Sequence, residues 1–285
     1  MTGYPSWRSH HLTAKDFSHL QDSSSFQNYL YYLCSLSPDD SAILQIDPLT
    51  GQYQQYTLKF PPLSNYSLTY FQGKLYIFGG RTSEGYTNTL FQFNLHTRTM
   101  VEIKEKGTPP TARGNHSACV WENNLVIVGG YNTKNSQIFD DIYLFSFAKQ
   151  SWSLLPCGKI FIDPCAPPPL YGHSAIVSND YLYLFGGSTL DQGQTSDCRG
   201  MSDQIYCINL ETKAWRRVTA IGDRRCSPRM YHSASLFEEW MVVYGGLSDM
   251  KMNDLWCFDL NTFSWWQIPT VGTPPPATFS FLFFS

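Results

Sequence analysis

The chain has 285 residues and a formal net charge of −3, with 42% hydrophobic, 16% aromatic and only 15% charged residues. This charge gives no basis for nucleic acid or an anionic membrane as the main partner, and no apolar run approaches the roughly 18 residues of a membrane helix. Many aromatics, 20 Gly and 17 Pro set against few charges favour an all-β chain, long enough for one large domain or two ordinary ones.

The opening stretch, "MTGYPSWRSHHL", has no hydrophobic signal core, and a cytoplasmic protein is expected. "PSWRSHHL" places a first strand near Arg8, followed by an insertion over about residues 13–28. "NYLYYLCS" reads as a second strand ending at Cys34-Ser35. "ILQIDPLTGQY" reads as two more, joined by a turn between Ile46 and Tyr53. Farther on, the pattern sharpens. "KLYIFGG", "NLVIVGG", "YLYLFGG" and "WMVVYGG" are apolar runs that stop at Gly79-Gly80, Gly129-Gly130, Gly186-Gly187 and Gly245-Gly246. The steps between them are 50, 57 and 59 residues (79 to 129, 129 to 186, 186 to 245).

A strand such as "NHSACVW", "GHSAIV" or "YHSASLF" comes before a Gly-Gly run. After each pair comes a variable stretch, then an apolar residue and a bulky one across a turn: Phe93 and Met100, Phe145 and Trp152, Ile208 and Trp215, Phe258 and Trp265. Each unit is four short strands, here a to d, with strand b ending at the double glycine. The units run over 5–56, 57–105, 106–156, 166–219 and 225–270, and "GTPPPATFSFLFFS" opens a partial one over 271–285.

Gly-Gly after a strand, a downstream Trp and a period near 50 resemble the kelch repeat, over nearly the whole chain. The resemblance implies an all-β, kelch-type β-propeller. It would have five recognisable four-stranded blades plus the start of a sixth, an incomplete six-bladed ring. Glycine would serve where backbones crowd together or φ is positive, and Trp as a large apolar plate between blades.

Antiparallel order puts the b–c and d–a connections on one face. The a–b turns ("FQGK", "WENN", "SND", "FEE") are short, whereas loops 131–141, 156–170 and 188–203 are long. Function is expected on the long-loop face. Strand a opens with Arg-x-x-His at Arg8, Arg113 and Arg229, while Leu63, Leu170 and Thr278 hold the Arg position elsewhere. The recurring histidines read as packed and hydrogen-bonded. The arginines have two readings, structural ion pairs or a basic rim around the channel for a carboxylate or phosphate. The rim reading makes Arg8, Arg113 and Arg229 partner-binding residues, together with Arg81 and Tyr131 on the loops after Gly-Gly.

Motifs of catalysis are missing: no HExxH, GxSxG, Walker lysine or paired CxxC occurs. The eight cysteines read as buried reduced thiols. The expectation is a non-catalytic module without cofactor or metal. It would bind a protein or peptide partner with an acidic or C-terminal carboxylate element. Kelch domains resembling this one serve as ubiquitin-ligase substrate receptors, actin binders or GTPase scaffolds. The alternative is a kelch metalloenzyme or specifier-like protein with a metal at the channel mouth.

Overall fold

A computed structural model describes residues 23–26, 29–47, 49–156, 166–189 and 200–270. Among these, five four-stranded antiparallel sheets follow one another along the chain, each in the order a-b-c-d. The one helical element among the described residues is a short 3-10 turn, Thr133–Asn135. The first blade comprises Ser23–Phe26, Tyr29–Ser35, Ser41–Ile46 and Tyr53–Leu58. The second comprises Ser67–Phe71, Lys74–Phe78, Leu90–Asn94 and Thr99–Glu102; the third, Ser117–Trp121, Asn124–Val128, Ile142–Ser146 and Ser151–Leu154. The fourth comprises Ser174–Ser178, Tyr181–Phe185, Ile205–Asn209 and Trp215–Val218; the fifth, Ser233–Phe237, Trp240–Leu247, Lys251–Asp259 and Ser264–Gln267.

Strands a lie side by side from first blade to second and onward to the fifth, which makes them the innermost strands of a β-propeller. Among the described residues, the fifth and first innermost strands lack that extensive contact.

Two expectations are corrected. The innermost strand of the first blade is Ser23–Phe26, not a segment near Arg8. It pairs Ser23 with Tyr32 and Phe26 with Tyr29, the same tight a–b spacing as Trp121 to Asn124 in the third blade. Hydrogen-bonding register decides this, and the look of "PSWRSHHL" does not. Arg8, the rest of the proposed insertion and the sixth strand expected over 271–285 lie outside the described residues. In the fifth blade, Gly245-Gly246 does not end strand b. The strand runs through the pair with a register shift between Tyr244 and Gly246, because its connection to strand c is a tight hairpin at Leu247 and Lys251.

The second, third and fourth blades each lie between two others, so their strand b is apolar on both faces. In the third blade Leu125 and Ile127 pack with Tyr76, Phe78 and Leu90 of the second, while Val126 and Val128 pack with Leu182 and Leu184 of the fourth. The strand-d Trp faces the preceding blade rather than the next. Trp152 lies 5.1 Å from Phe78, and Trp265 lies 4.9 Å from Phe185. These rings bury the strand end where the glycines follow.

The double glycine is where two blades touch through backbone. The second glycine's N–H donates to the next blade's carbonyl at the Arg-column position: Gly80 to Arg113 at 2.8 Å, Gly130 to Leu170 at 2.8 Å, Gly187 to Arg229 at 2.9 Å. A Cβ on the first glycine would stand 2.7 Å (Gly79) or 2.5 Å (Gly129, Gly186) from those same oxygens. The backbone is also left-handed there, with φ of 63°, 58° and 68°. Gly186→Ala is therefore expected to cost at least about 2 kcal/mol, since left-handed strain alone costs roughly 1–2 and the blades must also part. Gly73→Ala, at φ 77° with nothing within 4 Å of its Cβ, should cost only the strain. Urea unfolding of both variants checks the difference.

Candidate functional site

The long-loop end of the channel is built from the heads of the innermost strands. One residue there in each of the second to fifth blades is left-handed: Asn65, Asn115, Gly172 and Tyr231, at φ 58°, 53°, 65° and 56°. The turn aims each peptide sideways, and the blades become linked in series. Asn115 N–H donates to Asn65 C=O at 3.0 Å, Gly172 to Asn115 at 2.8 Å and Tyr231 to Gly172 at 2.8 Å. Asn and Gly take this conformation readily, but Tyr231 holds it at a cost of about 1–2 kcal/mol. Strain of this kind clusters at functional sites.

Just below, the histidines latch each blade to the one before. His116 Nε2 meets Ser67 Oγ at 2.8 Å, and His232 Nε2 meets Ser174 Oγ at 2.8 Å. In the second blade Tyr66 donates to the Leu33 carbonyl at 2.7 Å. His173 departs from the pattern: Ser117 donates to its carbonyl at 2.8 Å, and neither ring nitrogen has a partner. Burial pushes His116 and His232 down to about 3, and His173 to about 4, with Arg113 and Arg229 adding to the first two shifts. All three are neutral at pH 7.

Arg113 and Arg229 do not stand free at a rim. Both side chains are 0% exposed. Arg113 forks onto the Asp141 carboxylate, donates to Gly129 C=O at 2.8 Å and Thr111 C=O at 2.9 Å, and lies 3.9 Å from the Phe139 ring centroid. Arg229 uses all five N–H groups: Asp254 at 2.7 and 2.9 Å, Gly245 C=O at 2.9 Å, and the Ser227 carbonyl and hydroxyl at 3.1 and 2.9 Å. Burial pushes the Asp254 carboxyl up, but hydrogen bonds from Arg229 and the Trp256 indole, with the Arg229 charge, hold it below its ordinary value.

The expectation of a free basic rim at these two positions is thus corrected, for each cation is matched inside its own blade. The sequence carried the signal. Arg113 and Arg229 belong to blades with Asp141 and Asp254 immediately before the first apolar residue of the c run, Ile142 or Leu255, while Leu63 and Leu170 belong to blades with Thr89 and Gln204 there.

Arg81 and Tyr131, each following a Gly-Gly pair, do lie on the long-loop face. Arg81 is exposed and its backbone pairs with Ser64 at 2.7 and 3.0 Å; Tyr131 is buried and pairs with Gly114 at 2.8 and 3.0 Å. Around them stand tyrosines that the sequence reading did not single out. Tyr131 lies 5.3 Å from Tyr171, and Tyr171 lies 6.5 Å from Tyr231, across three blades. Tyr86 sits against Gly114 of the next blade, where a Cβ would come within 2.7 Å of its ring. Burial raises the Tyr86 phenol, opposed by the Arg81 charge 6.0 Å away and by a hydrogen bond with Asn65. The mouth thus combines phenols and amides with the exposed guanidinium of Arg81. Among the described residues no three His, Cys, Asp or Glu converge as a metal would require, and no helix is long and apolar enough to cross a membrane.

Residues 43–187 match the family described as KLHDC2/KLHL20/DRC7 Kelch-repeats domain, and residues 169–222 match the Kelch motif. The chain is 31% identical to Kelch domain-containing protein 1 of Homo sapiens over 225 residues, 69% of this chain and 52% of the relative. It is 28% identical to Kelch domain-containing protein 3 of Bos taurus over 219 residues, 70% and 52% of the two chains. With host cell factor homolog hcf-1 of Caenorhabditis elegans it shares 30% identity over 213 residues, 70% and 27%. The chain spans about half the length of the Kelch domain-containing relatives it matches.

Two outcomes follow from the buried columns. Arg113→Leu leaves Asp141 without its cation and should cost about 3 kcal/mol. Adding Asp141→Thr recreates the Leu63/Thr89 pair of the second blade and should recover most of the loss in urea unfolding. For the histidines the folded values lie below the unfolded value near 6.5. Between pH 6.5 and about 4 the unfolded chain takes up protons that the folded chain refuses. Stability present above pH 6.5 is therefore lost as pH falls, by up to about 1.4 kcal/mol per pH unit for each histidine. His232→Gln should reduce that slope by one histidine's share, measured by denaturation at pH 7, 6 and 5.

Proposed function

The chain belongs to the kelch-repeat family, and on that footing we propose that it is a non-catalytic protein-interaction module whose tyrosine-lined mouth on the long-loop face holds an extended protein or peptide segment. The observation that carries this reading is the juxtaposition of Tyr86, Tyr131, Tyr171 and Tyr231 with exposed Arg81, at strand heads fixed by backbone bonds between blades. Tyr86 and Tyr231 are partly exposed and supply contact area of the kind interfaces favour, while Tyr131 and Tyr171, each only 2% exposed, form the packed aromatic floor beneath them. Asn65 and Asn115, partly exposed beside the rings, add amide donors and acceptors.

The segment bound carries an acidic side chain or a free C-terminal carboxylate, met by Arg81 as a planar fork. Arg113 and Arg229 act at one remove in this reading. Their ion pairs fix the Gly-Gly carbonyls, and so the loops. The reading carries no cofactor, nucleic acid or membrane contact. A cytoplasmic location is part of it, supported by the free thiols of Cys34, Cys119, Cys207, Cys226 and Cys257.

A library of peptides with free C-terminal carboxylates, and the same peptides amidated, tests the assignment by fluorescence polarisation. The expected result is selective binding of acidic or free-carboxylate members. Arg81→Ala should weaken it about tenfold, or roughly 1.4 kcal/mol, with no change in melting temperature. Binding that ignores both amidation and Arg81→Ala would remove the carboxylate from the reading. Loss of melting temperature in Arg81→Ala would make that residue structural.

A further inference from the structure

On the outer rim, the third and fifth blades have the edge of strand d covered by the linker arriving from the blade before. Lys106 N–H donates to Gln150 C=O at 2.8 Å, and Trp152 N–H donates to Lys106 C=O at 2.9 Å, so Lys106 lies parallel to the strand opposite Ser151. Ile221 takes the same place on the fifth blade, donating to Phe263 C=O at 2.7 Å opposite Ser264.

The second blade lacks this cover. Its equivalent groups are Arg98 C=O and Met100 N–H, and among the described residues neither has a backbone partner beyond its own blade. Arg98 is left-handed like Gln150 and Phe263, at φ 58° against 49° and 54°, so the edge has the same shape. The cause is linker length. "KFPPL" at 59–63 stands where the third blade has "KGTPPTAR" at 106–113, three residues more. The short linker turns inward, and its Phe60 is buried and meets Phe91 edge to face at 4.7 Å. The filling differs as well: the strand-d position held by Trp152, Trp215 and Trp265 in the last three blades is Met100 here. An open groove of about 330 Å³ remains, with Lys59 and Phe60 on one wall and Phe91, Met100 and Glu102 on the other. Arg98 and Glu102, at the two ends of the edge, are exposed, and no ion pair among the described residues engages either. Arg98 lies over the Tyr56 ring at 5.1 Å.

We propose that the outer edge of the second blade is a docking site for an extended segment of a partner protein, which adds to Thr99–Glu102 as a parallel strand. The segment takes the place that Lys106 and Ile221 take on the third and fifth blades, giving an N–H to Arg98 C=O and accepting from Met100 N–H. An open edge offers such a segment a row of unused backbone groups, and pockets beside it choose among side chains. An apolar side chain enters the groove against Phe60, Phe91 and Met100, where the flexible thioether adapts to its shape. Parallel direction fixes the order of charges: an acid early in the segment faces Arg98, and a base later in it faces Glu102. The site lies on the outer rim rather than at the mouth and does not rest on the tyrosines there.

The test uses the full chain and two libraries of acetylated, amidated peptides rich in β-branched residues, one in the order acid, apolar, base and the other in the reverse order. Fluorescence polarisation should show the first library binding about fivefold tighter or more, since reversal turns two exposed charge pairs from attraction to repulsion. The double variant Arg98→Glu, Glu102→Arg should invert that preference with no change in melting temperature. Hydrogen exchange followed by NMR should show the Met100 amide exchanging freely in the chain alone and slowed when peptide is bound. Absence of binding from both libraries overturns the proposal, as does equal binding of the two or a preference that the double variant leaves in place. Protection at Tyr131 and Tyr171 without protection at Met100 would put the peptide in the mouth and overturn it too. A Met100 amide already protected in the chain alone overturns it as well, for the chain or a second copy would then cover the edge.

Discussion

The contact on which the molecule depends is the meeting of a glycine pair with the next blade's backbone. Gly80, Gly130 and Gly187 each give their N–H to a carbonyl one blade ahead, and the glycine before each lies where a Cβ would overlap that oxygen. This fixes the distance between blades at the inner end of strand b. With that distance set, Trp152 and Trp265 reach back to Phe78 and Phe185, and the apolar faces of strand b pack against the neighbouring blades. A side chain on the glycine would wedge the blades apart and open those layers.

A close backbone approach also brings polar groups inside, where they must be paired. The chain meets this with repeating columns. Neutral His116 and His232 bond serines of the preceding blade through the ring, His173 accepts from one through its carbonyl, and left-handed residues at the strand heads link blade to blade. In the third and fifth blades an Arg–Asp pair braces the Gly-Gly carbonyl from within, and in the second Leu63 occupies the Arg position as apolar filling. A buried ion pair is costly to break and of small net benefit when intact. Its value here is geometric: it holds the carbonyl of Gly129 or Gly245 on which the following loop hangs.

The same economy shapes the functional face. Because Arg113 and Arg229 are paired inside their own blades, the proposed recognition rests on exposed Arg81 and on the tyrosines between blades. Those rings are placed by backbone bonds across neighbouring blades, so the mouth is as rigid as the ring beneath it. Rigid aromatic walls with few charges suit a partner read by shape and peptide hydrogen bonds.

The sequence by itself determined the repeat, the four strands per unit and the all-β propeller, because glycine pairs, alternating runs and strand-d tryptophans recur in register and each answers a local steric or packing need. It also held the Arg–Asp pairing, in the alternation of Arg with Asp and Leu with Thr or Gln, although one column read alone suggested an open rim. Only tertiary structure decided which guanidiniums face solvent, since burial depends on an acid 25 to 28 residues away being folded against the same strand. It decided the first blade's innermost strand too, where register between Ser23–Phe26 and Tyr29–Tyr32 outweighed a resemblance in residue types. Of the tyrosine cluster the sequence reading named Tyr131 alone, because Tyr86, Tyr131, Tyr171 and Tyr231 come from four repeats at different offsets. They meet only when the blades are wound around one axis.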